Sequence, residues 1–207
     1  MPIPRRPLLT AFALGAALFA LGSVGCEVKS PYMIVLEKPK SFAATKDMAT
    51  VVFLRPYDTD PREIVTIVDE QRTFIGDSLA QTYFAARVPP GGRNFYALAQ
   101  GKGTDAMRVD LAPGKVYFVY ISLGSERGGE GQAASLFALT PRSREWGMVS
   151  TWLAKSKQLE IAPASGTIEG TSRYPDVEQR ITQATTTLRN YPAPESDIRT
   201  LRPDDGL

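Results

Sequence analysis

The chain has 207 residues, of which 43% are hydrophobic and 22% charged, with one cysteine and no histidine. That length suits one domain with tails, and the missing histidine and single cysteine rule out Ser-His-Asp, Cys-His and zinc-thiolate site chemistry. A formal net charge of +2 lacks the basic footprint of a nucleic-acid binder, so no nucleic-acid partner is expected.

Arg5-Arg6 precede an apolar run over residues 8–21, and Gly22-Ser23-Val24-Gly25 leads into Cys26. A positive start, an apolar middle and small residues before a cut are the plan of an export signal. Residues 1–25 therefore read as a signal peptide, and everything after them as folding outside the cytoplasm. The run is shorter than the roughly 20 apolar residues of a membrane span. The two signal arginines carry the whole excess charge, so the mature chain is formally neutral. No cysteine follows Cys26, so no disulfide staples the fold and its core must hold it.

Ser23-Val24-Gly25-Cys26 resembles a lipobox, the lipoprotein signal of bacteria. The resemblance implies that the Cys26 thiol takes a diacylglyceryl group, that palmitate-type acyl chains follow, and that Cys26 begins the mature chain. Two or more chains make such an anchor stable, since each buried CH₂ contributes about 0.8 kcal/mol. The expected location is then the bacterial cell envelope, on the inner or outer membrane, facing the periplasm or the exterior. Ser23-Val24-Gly25 equally suits an ordinary signal peptidase, which would leave Cys26 as a free thiol.

Residues 26–47 read as a lipid-anchored tether. Its one apolar patch, Tyr32-Met33-Ile34-Val35-Leu36, is expected to add an edge strand or pack on the domain. From residue 48 the pattern becomes β-branched and aromatic. Thr50-Val51-Val52-Phe53-Leu54-Arg55 stops at Pro56. Ile64-Val65-Thr66-Ile67-Val68 and Thr73-Phe74-Ile75-Gly76 flank a turn at Asp69-Glu70-Gln71. Tyr83-Phe84-Ala85-Ala86-Arg87-Val88 ends at Pro89-Pro90-Gly91-Gly92. Asn94-Phe95-Tyr96-Ala97-Leu98-Ala99 closes at Gly101-Lys102-Gly103-Thr104-Asp105. Met107-Arg108-Val109-Asp110-Leu111 alternates, Ala112-Pro113-Gly114-Lys115 turns, and Val116-Tyr117-Phe118-Val119-Tyr120-Ile121 follows. Both faces of this last run are apolar, as in a central strand covered on both sides. After the glycine-rich residues 124–131, Ala134-Ser135-Leu136-Phe137-Ala138-Leu139 is another strand. Short runs at about 8–12-residue spacing between Pro/Gly turns predict seven or eight strands of an antiparallel sandwich or barrel, and residues 48–140 are expected to form an antiparallel β-sandwich.

Residues 141–191 change character. Thr140-Pro141 is expected to start a helix that puts Trp146, Val149, Trp152 and Leu153 on one face. Gln158-Leu159-Glu160-Ile161 reads as a short strand. Pro175-Asp176 opens a second helix, with Val177, Ile181, Ala184 and Leu188 in one stripe. Thr185-Thr186-Thr187 has poor helix propensity, so that helix needs docking. Residues 192–207 are rich in proline and charge and read as a disordered tail.

Several pieces together resemble a family of bacterial lipoproteins and secreted proteins that is filed as a domain of unknown function. They are Ala49-Thr50-Val51-Val52-Phe53-Leu54-Arg55-Pro56, Phe74-Ile75-Gly76, Tyr83-Phe84 through Val88-Pro89-Pro90-Gly91, and Leu111-Ala112-Pro113-Gly114-Lys115-Val116-Tyr117-Phe118-Val119. The resemblance spans about residues 48–140. It implies a small sandwich similar to transthyretin-like and carbohydrate-module folds, and it implies no reaction and no catalytic residues.

Three constellations could carry chemistry. Asp58, Asp60 and Glu63 offer alternating oxygens for a hard cation such as calcium, or else a polar turn. Asp69-Glu70 beside Asp77 could pair carboxylates for hydrolysis, which needs both in one cleft. Tyr83, Tyr96, Tyr117 and Tyr120 could stack on a glycan if they face outward, or fill the core. Residues 125–132 form a charged glycine loop, suited to binding or to slack. Weighed together, these lead to a non-enzymatic, membrane-tethered β-sandwich, a structural or assembly component of an envelope complex with a protein partner. No cofactor is expected. The alternatives are a small-ligand or glycan-binding sandwich, and a carboxylate-based hydrolase.

Overall fold

The β-branched and aromatic runs become strands largely where expected. The computed structural model describes residues 28–125, 132–163, 173–192 and 195–207. Among them lie β1 (Met33–Val35), β2 (Ala49–Arg55), β3 (Val65–Asp69), β4 (Phe74–Ser78), β5 (Thr82–Val88), β6 (Gly91–Leu98), β7 (Gly103–Leu111), β8 (Val116–Ser125) and β9 (Gln132–Leu139). A short helix α1 (Val149–Lys155) precedes β10 (Lys157–Ile161). Then come α2 (Val177–Asn190), α3 (Glu195–Ile198) and β11 (Thr200–Leu201). Gly91 and Gly103, expected in turns, instead begin β6 and β7. Gly114 does sit in a turn, with φ +74°, a conformation a side chain would strain.

The protein is mainly β, but the strands do not form an antiparallel sandwich. They form one mixed sheet, in the order β1-β10-β5-β2-β8-β9-β7-β6-β3-β4, that nearly closes into a barrel. Hairpins β3–β4, β6–β7 and β8–β9 are antiparallel. Strands further apart in sequence pair both ways: β1–β10, β2–β5 and β3–β6 are antiparallel, whereas β2–β8, β5–β10, β7–β9 and β7–β11 are parallel. Turn chemistry dictates the local hairpins, while packing selects the distant partners.

Period-2 alternation divides the apolar residues among three clusters. One fills the barrel and includes Val51, Phe53, Phe84, Phe95, Met107, Tyr117, Val119, Ile121 and Leu136. Phe53 stacks on Phe84 with ring centroids 5.0 Å apart and meets Phe95 edge-on at 5.5 Å. The second lies outside the barrel, where Val177, Ala184 and Leu188 of α2 cover Val68, Tyr96, Leu98 and Ala106. The third, also outside, sets Val149 and Trp152 of α1 on Val52, Leu54, Tyr83, Phe118 and Leu139. β2 and β8 are thus buried on both faces, as the double apolar character of β8 requires.

Both helices dock by the faces expected, although the first begins late. Residues 140–145 form turns in which the Thr140 hydroxyl accepts from the Arg142 N–H, and regular α-helix starts only at Val149. In α2 the three consecutive threonines return their hydroxyls to the carbonyls four residues back, Thr185 to Ile181 at 2.8 Å, Thr186 to Thr182 at 2.9 Å and Thr187 to Gln183 at 3.0 Å. That bonding satisfies each hydroxyl within the helix.

The segments flanking the domain are built into the fold. Within residues 26–47 the apolar patch adds an edge strand, as expected: β1 extends the sheet beside β10, Ser30 donates to Asp77, and the Tyr32 ring packs edge-on against Phe74 at 5.6 Å. The tail expected to be disordered is ordered over residues 195–207. There β11 pairs with β7, Leu201 is fully buried, and Leu207 exchanges two backbone hydrogen bonds with Val116. Its proline and charge lower its own propensity, but the open edge of β7 supplies partners that local composition does not reveal.

Candidate functional site

A cleft of about 800 Å³ opens where the sheet splits. At its start β7 pairs with β9 through Gly103 and Thr104, and further along it pairs with β11 through Arg108 and Val109. Asp105 stands at the divergence. One of its oxygens accepts the Leu136 N–H of β9 at 3.0 Å, and the other accepts the Ala106 N–H at 3.0 Å. The carboxylate thus replaces a ladder partner that the parting strands cannot supply. Burial pushes its pKa up, opposed by Arg199, whose Nε lies 3.1–3.2 Å from both oxygens.

Arg199 is positioned by rings as well as charge. Its guanidinium lies 4.3 Å from the Tyr191 ring centroid and 5.2 Å from that of Phe137. Phe137 stacks in turn on Tyr120 at 5.8 Å, and Tyr120 on Trp152 at 5.4 Å. A continuous pile of flat groups therefore crosses the outer face of β8 and β9. Below it, Ser122 pairs with Ser135 and Gly124 with Ala133, and these small residues leave the cleft its depth. Arg180 of α2 forms one wall, giving Nε to the Thr104 hydroxyl and Nη2 to the carbonyls of Ala99 and Lys102.

The acids singled out as cation ligands surround a cation of the chain's own. Arg55 is almost wholly buried and donates to the backbone carbonyls of Glu63 at 2.7 Å and of Thr59 and Asp60 at 2.8 Å each. Burial pulls its pKa down to about 10, opposed by Asp60, Glu63 and Asp58. Of the carboxylates, Asp60 pairs with Lys102 at 2.8 Å, Glu63 accepts the Gln100 N–H at 2.7 Å, and Asp58 is exposed. No group of three or more metal-ligating side chains occurs among the described residues.

The second acid set does not converge on a cleft. Asp69 accepts the N–H groups of Gln71 and Thr73 within the β3–β4 turn, and Glu70 accepts that of Asn94. Asp77 lies opposite Thr66, about 10 Å along β3 from Asp69 at strand rise. It is fully buried and takes hydrogen bonds from Ser30 at 2.5 Å, Thr66 at 2.8 Å and Arg173 at 2.7 Å. One carboxylate thereby ties the chain's first described residues, the sheet and the lead into α2.

Of the four tyrosines, Tyr83, Tyr96 and Tyr117 are buried, and Tyr120 is half-buried inside the stack. Cys26 and residues 126–131 of the glycine loop lie outside the described residues. The sequence alone does not mark Asp105 and Arg199 as a site, because Asp105 reads as part of a turn and Arg199 as part of a tail. A signal existed for Asp105: running the Met107, Val109, Leu111 alternation back one step places it on the core face, where a charge is costly unless paired. Nothing local marks Arg199, which lies 94 positions away.

No protein-family model, curated protein or solved structure matches the chain.

Proposed function

We propose that this protein is an exported bacterial lipoprotein, anchored through acyl chains on Cys26, that serves without enzymatic activity as a structural or assembly component of an envelope complex. The observation that carries this reading is the shortness of the link between anchor and barrel. Ser30 is already bonded to Asp77, and it stands only four positions after Cys26. Fully extended, those four steps reach about 14 Å. An acylated Cys26 would hold the barrel against the membrane surface in a restricted orientation, as suits a part of an assembly more than a freely roaming binder.

The split-sheet cleft is the proposed docking site. Its buried carboxylate is committed to Arg199 and two backbone N–H groups, which favours holding a ligand over proton transfer. The resemblance to a lipoprotein family without an assigned reaction points the same way.

Palmitate labelling tests the anchor: wild type should label and Cys26→Ala should not. Crosslinking in intact cells tests the assembly, with an envelope protein expected to attach to wild type and less to Cys26→Ala. Equal labelling of the two forms removes the lipoprotein reading. Recovery of no envelope partner removes the assembly reading.

The cleft also favours the second reading, a small-ligand or glycan-binding module, since its volume falls within the range of about 300–1,000 Å³ of ligand pockets. Stacking on a sugar ring gains no support, because the aromatic faces along the cleft are taken up by one another and by Arg199.

A further inference from the structure

Arg199 has the form of a prepared receptor. Among the described residues, its guanidinium donates hydrogen bonds only through Nε, to Asp105. Its Cζ lies over the Tyr191 and Phe137 rings. What it presents to the cleft is therefore the Nη1–Nη2 end, the pair of donors that matches the two oxygens of an anion. Its side chain is only 12% exposed, so the orientation is set before any ligand arrives and little rotamer entropy remains to be lost.

The surroundings narrow the kind of anion. The two other cations of the cleft are turned elsewhere, Arg180 to a hydroxyl and two carbonyls, and Lys102 to Asp60. One fork with no second cation aimed beside it suits a singly charged carboxylate better than a doubly charged phosphate. The cleft is also far larger than a bare anion, and the hydroxyls of Ser122 and Ser135 with the Gln183 side chain line the remainder. Those groups match the hydroxyls or amides of a polar body.

We propose that the cleft binds a small polar molecule by its carboxylate, gripped end-on by Arg199, with the remainder of the molecule lying over Ser122 and Ser135. Asp105 and the two rings are positioning groups for that grip. The proposal rests on the reading of the cleft as a docking site and adds the chemistry of what docks. A carboxylate of this kind can come from an acidic sugar or from the free end of a peptide.

Calorimetric titration of the full mature chain in detergent separates these sources. The probes are glucuronate, the dipeptide acetyl-alanyl-alanine, their neutral counterparts methyl glucoside and the dipeptide amide, and inorganic phosphate. At least one carboxylate probe should bind, at least tenfold more tightly than its neutral counterpart. Binding of glucuronate alone assigns an acidic sugar; binding of the dipeptide alone assigns a peptide terminus. Arg199→Lys keeps the charge without the fork and should weaken binding at least tenfold. Ser135→Leu leaves Arg199 in place, fills the floor and should abolish binding, with circular dichroism confirming that both variants fold. Equal binding of acid and neutral partners, unchanged binding in Arg199→Lys, binding of phosphate alone, or no heat with any probe at millimolar concentration overturns the proposal. Cellular crosslinking that still recovers an envelope partner in that last case leaves the docking reading intact, so the two failures are distinguishable.

Discussion

Phe84 packs against the bare backbone of Gly76 across the seam where β4 and β5 come together without pairing. A Cβ at Gly76 would stand 2.5 Å from Phe84 Cε2 and 2.8 Å from its Cζ. The ring cannot simply retreat, because Phe53 is stacked on it. Gly76 is thus where β4, at one end of the sheet, approaches β5 near the other closely enough to complete the barrel core, and its role is steric.

Gly76→Ala should therefore destabilise the fold by about 1–3 kcal/mol, the usual cost of overpacking. Urea unfolding should show a lower midpoint with an unchanged slope. Adding Phe84→Leu should recover part of the loss, because the smaller side chain gives the methyl room. Strictly additive effects of the two changes would show that the contact does not limit closure.

Arg55 should prove structural, and calcium irrelevant to its loop. Arg55→Met leaves the carbonyls of Thr59, Asp60 and Glu63 without their donor and should cost about 2–4 kcal/mol, reduced where the loop can turn a carbonyl to water. Millimolar calcium should leave the melting temperature of the wild type unmoved. A rise of several degrees would return Asp58, Asp60 and Glu63 to the role of metal ligands.

The C-terminal segment should carry stability out of proportion to its composition. Leu201 is fully buried, and the Tyr117 hydroxyl donates to the Pro203 carbonyl at 3.1 Å. Leu201→Ala should cost about 2–4 kcal/mol, as buried leucines generally do. Limited proteolysis of the folded protein should spare residues 200–207. Early cleavage there would mean that the segment detaches in solution.

At alkaline pH the buried tyrosines should control stability. Burial raises the pKa of Tyr117 and of Tyr174, whose hydroxyl lies 3.1 Å from that of Thr66 and donates to the Leu98 carbonyl at 3.0 Å. The unfolded chain loses these phenolic protons first. Their stabilising contribution is complete below the unfolded value of about 10 and is lost as pH climbs through the raised folded values. Tyr174→Phe should cost about 1 kcal/mol near neutrality yet show a shallower fall in stability above pH 10. A parallel fall in the two proteins would mean that Tyr174 titrates as freely folded as unfolded.

Much of this architecture was legible residue by residue. The period-2 pattern of Val116-Tyr117-Phe118-Val119-Tyr120-Ile121 announced a strand buried on both faces, and the stripe Val177, Ile181, Ala184 and Leu188 is the face by which α2 docks. Gly114 marked its turn. These signals are local, because side-chain direction follows from position in a strand or helix. The cleft was not legible. Asp105 looked like the end of a glycine turn, and Arg199 like part of a charged tail, since neither carries meaning without the other.

Local chemistry by itself thus determined the strands, their inward and outward faces, and the docking faces of both helices. Only the tertiary structure decided that β2 pairs in parallel with β8, that the sheet curls toward closure, and that β9 yields its place beside β7 to β11. The reason is physical: alternation tells each strand which face to bury, but its free N–H and C=O groups accept any neighbour. The choice of neighbour is settled by what the whole chain can bury at once. The gap left by that choice is where Asp105 and Arg199 meet.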